Sequence, residues 1–203
     1  MKYIWKKIKG YPFISITLVS INCIVFILCQ FMGQILYSRG CSGVQGIVIE
    51  QEYLRLIYAI FLHWNVEHLF NNMILLLFMG SMLEKAIGHI SYTILFFISG
   101  ILGNIFSVLV KMSHNDWAVS VGASGAVFGL TGLLLAIVLV IRYKVQDITP
   151  AKVAIMIGLS LYSGFRGANI DNAAHVGGLL AGFLLGLFIC SIIRARDAKG
   201  NIQ

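Results

Sequence analysis

Residues that act together in acyl transfer occur at the start of separate apolar stretches of this chain. Ser124 lies close to Gly122 and Gly125, which allow the backbone to turn or to approach another segment closely, and His175 opens a later stretch. An imidazole that accepts the proton of a serine hydroxyl creates a nucleophile and can later protonate a leaving amine. Ser124 and His175 are therefore the candidate nucleophile and general base. The G-x-S-x-G turn of soluble hydrolases is absent, because Ala126 replaces its second glycine.

A second polar pair lies on one face of a predicted helix. His68 and Asn72 are four residues apart, so their side chains project from the same side. An imidazole N–H and a side-chain amide can donate hydrogen bonds to the oxyanion of a tetrahedral intermediate, and one such donor contributes roughly 3–4 kcal/mol. The alternative is a structural role, in which the pair ties its helix to a neighbouring helix.

Asp171 is the acidic residue nearest in sequence to the candidate base. It precedes His175 by four residues, so it could orient the imidazole as a third member of the group. Aspartate is also favoured at the N-cap of a helix, and a cap is the expected role here. The sequence therefore predicts a Ser–His dyad rather than a triad.

The sequence predicts neither a metal nor another cofactor. The motif H-E-x-x-H is absent, and His63 and His68 would project about 140° apart from a straight helix, which is unsuitable for a shared ion. No C-x-x-C spacing occurs, and the cysteines are predicted to be apolar packing residues. The four are Cys23, Cys29, Cys41 and Cys190.

Glycines at helical spacing predict how Ser124 and His175 meet. Rows of small residues let two membrane helices touch backbone to backbone. Two rows follow the candidate residues: Gly125, Gly129 and Gly132 after Ser124, and Gly178, Gly182 and Gly186 after His175. Contact between these rows would bring the hydroxyl and the imidazole together at one end.

The apolar stretches that carry these residues predict an all-α, polytopic membrane protein. Of the 203 residues, 59% are hydrophobic and only 11% are charged, and the mean hydropathy is +0.89. This composition is typical of a membrane protein, in which a span needs roughly 20 apolar residues. Six spans are predicted, near 12–32, 66–87, 90–110, 121–141, 151–166 and 172–193.

The chain is predicted to form a single membrane domain, 1–203. Its core covers about 50–193, and the segments 1–11 and 194–203 are cytoplasmic tails. The long connection 33–65 is predicted to be a structured segment at the membrane interface, because it mixes polar residues with Leu54, Leu56 and Ile57. The polar residues of the second, fourth and sixth spans all lie at the same end of the bundle.

Basic residues predict the orientation, because the loops on the cytoplasmic side of a membrane protein are rich in lysine and arginine. An N-terminus inside places 11 of the 15 basic residues on the cytoplasmic side and 4 outside. The inner set is Lys2, Lys6, Lys7, Lys9, Lys85, Arg142, Lys144, Lys152, Arg194, Arg196 and Lys199, and the outer set is Arg39, Arg55, Lys111 and Arg166. Both termini are therefore predicted to be cytoplasmic. The net charge of +7 needs no nucleic-acid partner, because the basic residues are scattered over several loops.

These residues resemble the signature of the rhomboid family of intramembrane serine proteases over roughly 50–190. The matching residues are Gly122-Ala123-Ser124-Gly125, Ala174-His175 with Gly178 and Gly182, His63, His68 and Asn72 at their spacing, Arg55, and Glu84-Lys85. Two positions depart from the family pattern. Leu54 replaces a tryptophan, and Phe128 replaces the tyrosine of some members, although a phenyl ring can still stack on His175.

The resemblance implies a six-helix core with a water-filled cavity open to the outer face. It implies Ser124 as nucleophile, His175 as base, and an oxyanion hole made by His68, Asn72 and the backbone N–H of Ser124. The fifth helix and the loop before the sixth would act as a lateral gate and cap. Substrates would be single-span membrane proteins, cut near the outer end of their span. The short N-terminus is compatible with a bacterial plasma membrane.

Two other functions are compatible with a polytopic helical protein of this kind. A proteolytically inactive relative that binds membrane clients would normally lack Ser124 or His175, and both are present. A small transporter would carry broken helices, a charged relay at mid-bilayer and often a repeat, whereas the charges here lie near span ends and no repeat is visible.

Overall fold

The computed structural model describes residues 10–32, 34–140, 149–166 and 170–200. Most of the predicted N-terminal tail and its four lysines lie outside these ranges, as do the end of the C-terminal tail and the connection 141–148 with Arg142 and Lys144. Apart from one isolated antiparallel bridge between Ser42 and Ser120, the regular structure of the described ranges is helical. The all-α prediction is confirmed.

Eight helices are described. They are α1 (Phe13–Met32), α2 (Gln34–Gly40), α3 (Arg55–Tyr58), α4 (Val66–Ile87), α5 (His89–Ser113), α6 (Ser124–Val140), α7 (Pro150–Arg166) and α8 (Asn172–Gly200).

Four of these helices are long and apolar enough to cross a bilayer: α1, α4, α5 and the part of α8 up to Ala195. The other two predicted spans correspond to the shorter helices α6 and α7, so the count of six spans stays a prediction. The predicted last span, 172–193, agrees closely with the apolar part of α8, Asn172–Ala195, and the helix itself continues beyond that span to Gly200. Charged residues with good helix propensity follow the apolar stretch there, and a helix need not end where its hydropathy falls.

Helix α6 is the central helix of the bundle. Thirteen of its 17 residues are buried, and it packs against α8 and α5 most extensively. A helix that is apolar on every side is stable only when it is surrounded, and here protein takes the place that lipid occupies around the outer helices. This position places the start of α6, and with it Ser124, inside the bundle.

A buried carboxylate near the end of α4 joins that helix to the start of α1. Glu84 is completely buried, and its oxygens accept the N–H of Ile14 at 3.0 Å, the N–H of Ser15 at 2.8 Å and the hydroxyl of Ser15 at 2.6 Å. The first N–H groups of a helix have no acceptor within it, and α1 has no acidic residue in its own first turn. Glu84 therefore caps α1 from another helix.

The long connection between α1 and α4 is structured, as predicted. It contains α2, α3, a π-helical turn at Gln45–Ile49 and a 3₁₀ turn at Ala59–Phe61. Arg55 holds it together by donating to the carbonyl of Ser38 at 2.7 Å, to Glu52 at 2.5 Å and to Glu50 at 3.1 Å. Leu54, which stands where the resembled family commonly has tryptophan, is exposed.

Candidate active site

Ser124 and His175 are in hydrogen-bond contact at the ends where α6 and α8 begin. Nε2 of His175 lies 2.8 Å from Oγ of Ser124, although 51 residues separate them in the chain. The ring of Phe128 stacks on the imidazole with centroids 4.3 Å apart and planes 10° apart, which is the contact predicted for this position. An imidazole held this way can accept the hydroxyl proton without a search for the right rotamer.

Backbone contact between α6 and α8 produces this geometry. A Cβ atom on Gly178 would lie 2.0 Å from the carbonyl oxygen of Gly125, and one on Gly182 would lie 1.9 Å from that of Gly129. Real side chains cannot occupy such space, so only glycine permits the two helices to come this close. The predicted contact between the two glycine rows is confirmed for these pairs.

Gly122 leaves room for the imidazole of His68 beside the nucleophile. Its φ of +129° is a conformation that L side chains rarely adopt. A Cβ atom there would lie 2.7 Å from Cε1 of His68 and 3.7 Å from Oγ of Ser124. The imidazole and the hydroxyl therefore both border the space that a side chain at Gly122 would fill.

His63 supports the segment that leads to the nucleophile. Its Nε2 accepts a long hydrogen bond of 3.5 Å from the backbone N–H of Ala123, and its ring contacts His68 edge to face with centroids 5.0 Å apart. Burial, with a smaller contribution from His68, lowers the pKa of His63 to about 3. The ring is therefore neutral at pH 7, as an acceptor must be.

Asn72 is buried, and its amide already makes one hydrogen bond within α4. Nδ2 donates to the carbonyl of His68 at 2.9 Å, which uses one of the two amide hydrogens and leaves the other for a ligand. The N-cap of the same helix, Asn65, accepts the backbone N–H of His68 at 2.8 Å. These bonds fix the start of α4, from which the two predicted oxyanion donors project.

Arg55 and the four cysteines lie outside this cluster. The hydrogen bonds that Arg55 makes within the described residues all go to the α1–α4 connection, so Arg55 shapes that connection rather than the Ser–His pair. Within the described residues, no group of three or more His, Cys, Asp or Glu side chains is placed to hold a metal ion. The cysteines are free thiols, and burial raises the pKa of Cys41 to about 11.

Asp171 caps α8, as predicted, by accepting the backbone N–H of Ala174 at 2.9 Å. Its second oxygen accepts from Lys111 at 3.1 Å and from the hydroxyls of Ser107 and Ser120. Burial alone would raise the pKa of Asp171, but the charge of Lys111 and these donors hold that pKa below its usual value. Reasoning from sequence missed Lys111, Ser107 and Ser120. The four-residue spacing of Ser107 and Lys111 on one helix face was the signal available.

These features define a polytopic helical membrane protein with a Ser–His pair at one end of its bundle. Residues 50–192 match the family model described as the Rhomboid domain, which covers more than half of the chain. The chain therefore belongs to the rhomboid family.

Proteins similar to this chain include plant and bacterial proteins. RHOMBOID-like protein 4 of Arabidopsis thaliana is 37% identical over 156 residues, which cover 76% of this chain and 38% of that protein. RHOMBOID-like protein 5 of the same plant is 39% identical over 145 residues, covering 70% and 46%. Rhomboid protease GluP of Bacillus subtilis is 29% identical over 180 residues, covering 86% and 34%. The chain spans between a third and a half of the length of these relatives.

Proposed function

We propose that this chain is a serine endopeptidase that cleaves single-span membrane proteins, with Ser124 as nucleophile and His175 as general base. The observation that carries the proposal is the 2.8 Å contact between Oγ and Nε2 under the stacked ring of Phe128. One similar protein is named Rhomboid protease GluP, which agrees with the proposal. A Ser–His dyad suffices because stacking and the backbone position of α8 orient the imidazole.

The chemistry is that of acyl transfer. Nε2 of His175 takes the hydroxyl proton while Oγ of Ser124 attacks the peptide carbonyl carbon, which gives a tetrahedral oxyanion. The C–N bond then breaks, and the imidazolium protonates the leaving amine. Water, deprotonated by the same imidazole, hydrolyses the acyl ester. The oxyanion is held by His68, by the free amide hydrogen of Asn72 and by the backbone N–H of Ser124, which lies at a helix N-terminus where amides lack intrahelical acceptors.

The substrate proposal rests on the predicted position of Ser124 near the outer end of its span. A peptide bond inside a continuous transmembrane helix has its carbonyl hydrogen-bonded and covered by side chains, so one turn must unwind before Ser124 can reach it. Glycine and proline lower that cost, since they are about 1 and 3 kcal/mol worse than alanine within a helix. We expect cleavage near the outer end of spans that contain such residues. Helix α7, which packs less closely against α6 and α8 than these do against each other, is proposed as the lateral gate.

The test combines covalent labelling with cleavage. A fluorophosphonate, which phosphonylates an activated serine, should label detergent-solubilised protein at Ser124. Ser124→Ala and His175→Ala should each abolish labelling and cleavage of a single-span substrate. Ser113→Ala and His114→Ala are matched controls, because both residues are exposed and, among the described residues, their side chains bond only to the end of α5 or to each other.

Three outcomes would overturn the proposal. They are labelling at a different serine, cleavage that persists in Ser124→Ala, and a folded wild-type protein that neither labels nor cleaves a substrate with a helix-breaking residue. The last result would favour the client-binding alternative. Loss of cleavage on chelation, restored by Zn²⁺, would instead indicate a metalloprotease.

A further inference from the structure

A cluster of four polar side chains lies beside the Ser–His pair without touching it. It consists of Ser107 and Lys111 on α5, Ser120 in the segment before α6, and Asp171 before α8; we call it the Asp171 cluster. Oδ2 of Asp171 accepts from the other three, and Lys111 also donates to Ser120. The side chains of Lys111 and Asp171 are only 11% and 15% exposed. Charges removed from water this far are costly unless they are paired, so each depends on the other.

The two oxygens of Asp171 have separate tasks. Oδ1 caps the first turn of α8 through the N–H of Ala174, the residue immediately before His175. Oδ2 accepts from the hydroxyl of Ser120, four residues before Ser124. A single carboxylate thus connects the chain just before the base to the chain just before the nucleophile.

The segment before α6, which Asp171 binds through the hydroxyl of Ser120, also makes hydrogen bonds to the α1–α4 connection. The backbone of Ser120 exchanges two hydrogen bonds with Ser42, at 2.7 and 2.9 Å, and the N–H of Gly122 donates to the carbonyl of Ala59 at 2.8 Å. The α1–α4 connection therefore anchors this segment, and Asp171 ties the start of α8 to that anchor. Lys111 and Ser107 fix the carboxylate to α5, a helix that supplies neither the nucleophile nor the base.

Apart from the contact between Nε2 and Oγ of Ser124, the described residues supply no hydrogen bond to the imidazole of His175. Nδ1 of His175 is buried and has no hydrogen-bond partner there. The position of the ring therefore depends on the ring of Phe128 and on the backbone of the first turn of α8. A displacement of about 1 Å between reacting groups can cost 10²-fold in rate, so the support of that turn is kinetically important.

We propose that Asp171 is a positioning residue of the protease, and that its cluster sets the distance between Nε2 of His175 and Oγ of Ser124. The inference rests on the proposed function above. Asp171 touches neither substrate nor reacting atoms. It acts by holding the first turn of α8 against the segment that leads into α6, with Lys111 as the counter-charge that keeps the carboxylate in place.

The test is Asp171→Asn, which retains an oxygen to cap α8 but removes the charge that binds Lys111 and places an amide N–H₂ against the hydroxyl donors. We expect kcat to fall about 10- to 100-fold with KM little changed, and the rate of fluorophosphonate labelling at Ser124 to fall by a similar factor. Lys111→Met should lower labelling in the same way, and the double variant should lose less than the product of the two effects, because both changes break one link. Lys111→Arg, which keeps the charge, should restore most of the rate.

Asp116→Asn is the matched control. It makes the same change in the connection between α5 and α6, where Asp116 is exposed and, within the described ranges, its carboxylate accepts only the N–H of Ala118. Its labelling rate should equal that of the wild type. A purely structural role for Asp171 would lower the melting temperature while the labelling rate per folded molecule stayed at the wild-type value, and that result would overturn the proposal.

A milder variant keeps the proposal testable if Asp171→Asn does not fold. Ser107→Ala removes one hydroxyl donor from the carboxylate and should slow labelling severalfold, whereas an unchanged rate would overturn the inference. The two proposals fail in different ways. Wild-type protein that is not labelled at Ser124 defeats both, whereas labelled wild-type protein with equally fast Asp171→Asn and Ser107→Ala defeats only the positioning role.

Discussion

At the scale of single residues, the site needs polar side chains that can transfer a proton or donate a hydrogen bond, and a glycine that leaves space for them. The hydroxyl of Ser124, the imidazoles of His68 and His175 and the bare backbone of Gly122 share one small volume. No other residue type at these positions offers the same combination of proton transfer, hydrogen-bond donation and space. Two predictions belong to this scale.

The first concerns Gly122→Ala. The new methyl group would meet the ring of His68 at 2.7 Å, in a backbone conformation that alanine rarely adopts. We expect the ring or the segment to shift and fluorophosphonate labelling of Ser124 to fall by about 10²-fold or more. Gly88→Ala is the control, because Gly88 also has a positive φ, +85°, but a side chain there would meet nothing within 4 Å. It should lose some thermal stability and keep its labelling rate; equal labelling in both variants would contradict the packing argument.

The second separates a transition-state role of Asn72 from a structural one. If its free amide hydrogen serves the oxyanion, Asn72→Ala should lower kcat by roughly 10²–10³ with KM and melting temperature nearly unchanged. Asn104→Ala is the comparison, since that buried amide donates at 2.8 Å to the carbonyl of Leu56 and joins α5 to the α1–α4 connection. It should lower the melting temperature and leave kcat of the folded protein intact. The same pattern in Asn72→Ala would remove Asn72 from the oxyanion hole.

At the scale of helices, the pairing of α6 with α8 determines whether the site exists. The carbonyl of Gly129 lies where a side chain on Gly182 would begin, so Gly182→Ala must push the helices apart. We expect a loss of about 1–3 kcal/mol or more in the free energy of unfolding, seen as a lower melting temperature, together with loss of labelling. Gly158→Ala on α7 is the control, because nothing lies within 4 Å and alanine favours a helix by about 1 kcal/mol. An unchanged melting temperature for Gly182→Ala would refute the close approach.

At the scale of the whole molecule, the proposed orientation places both termini in the cytoplasm and the Ser–His pair near the outer face. A bulky, membrane-impermeant thiol reagent applied from outside should therefore not modify a cysteine introduced at Lys199, in a background without the four native cysteines. It should modify one introduced at Asp116, which is exposed near the start of α6. The reverse labelling pattern would show that the predicted orientation is wrong, while the proposed chemistry of the site would be unaffected. The membrane itself, predicted to be a bacterial plasma membrane, stays a prediction, since the similar proteins include plant proteins as well as a bacterial one.

Local patterns in the sequence were sufficient for the helices and for the Ser–His pair. Long apolar runs predicted the bounds of the six long helices to within three residues at most ends, because the need to satisfy backbone hydrogen bonds in lipid leaves few alternatives to a helix. The rows headed by Gly125 and Gly178 predicted which helices touch, since glycine spacing is a local property with a single packing consequence. The pairing of Ser124 with His175 followed from that contact.

What only the tertiary structure decided depends on residues that are distant in the chain and share no periodic pattern. Nothing in the sequence placed Glu84 at the start of α1, His63 against Ala123 or Lys111 beside Asp171. An isolated polar residue near a span end is compatible with many partners, and the one it meets is set by how the helices pack and by which buried groups still need a donor or a charge. The sequence by itself determined which groups could react, because chemistry depends on residue type. The tertiary structure decided which groups hold them in place, because support depends on distance.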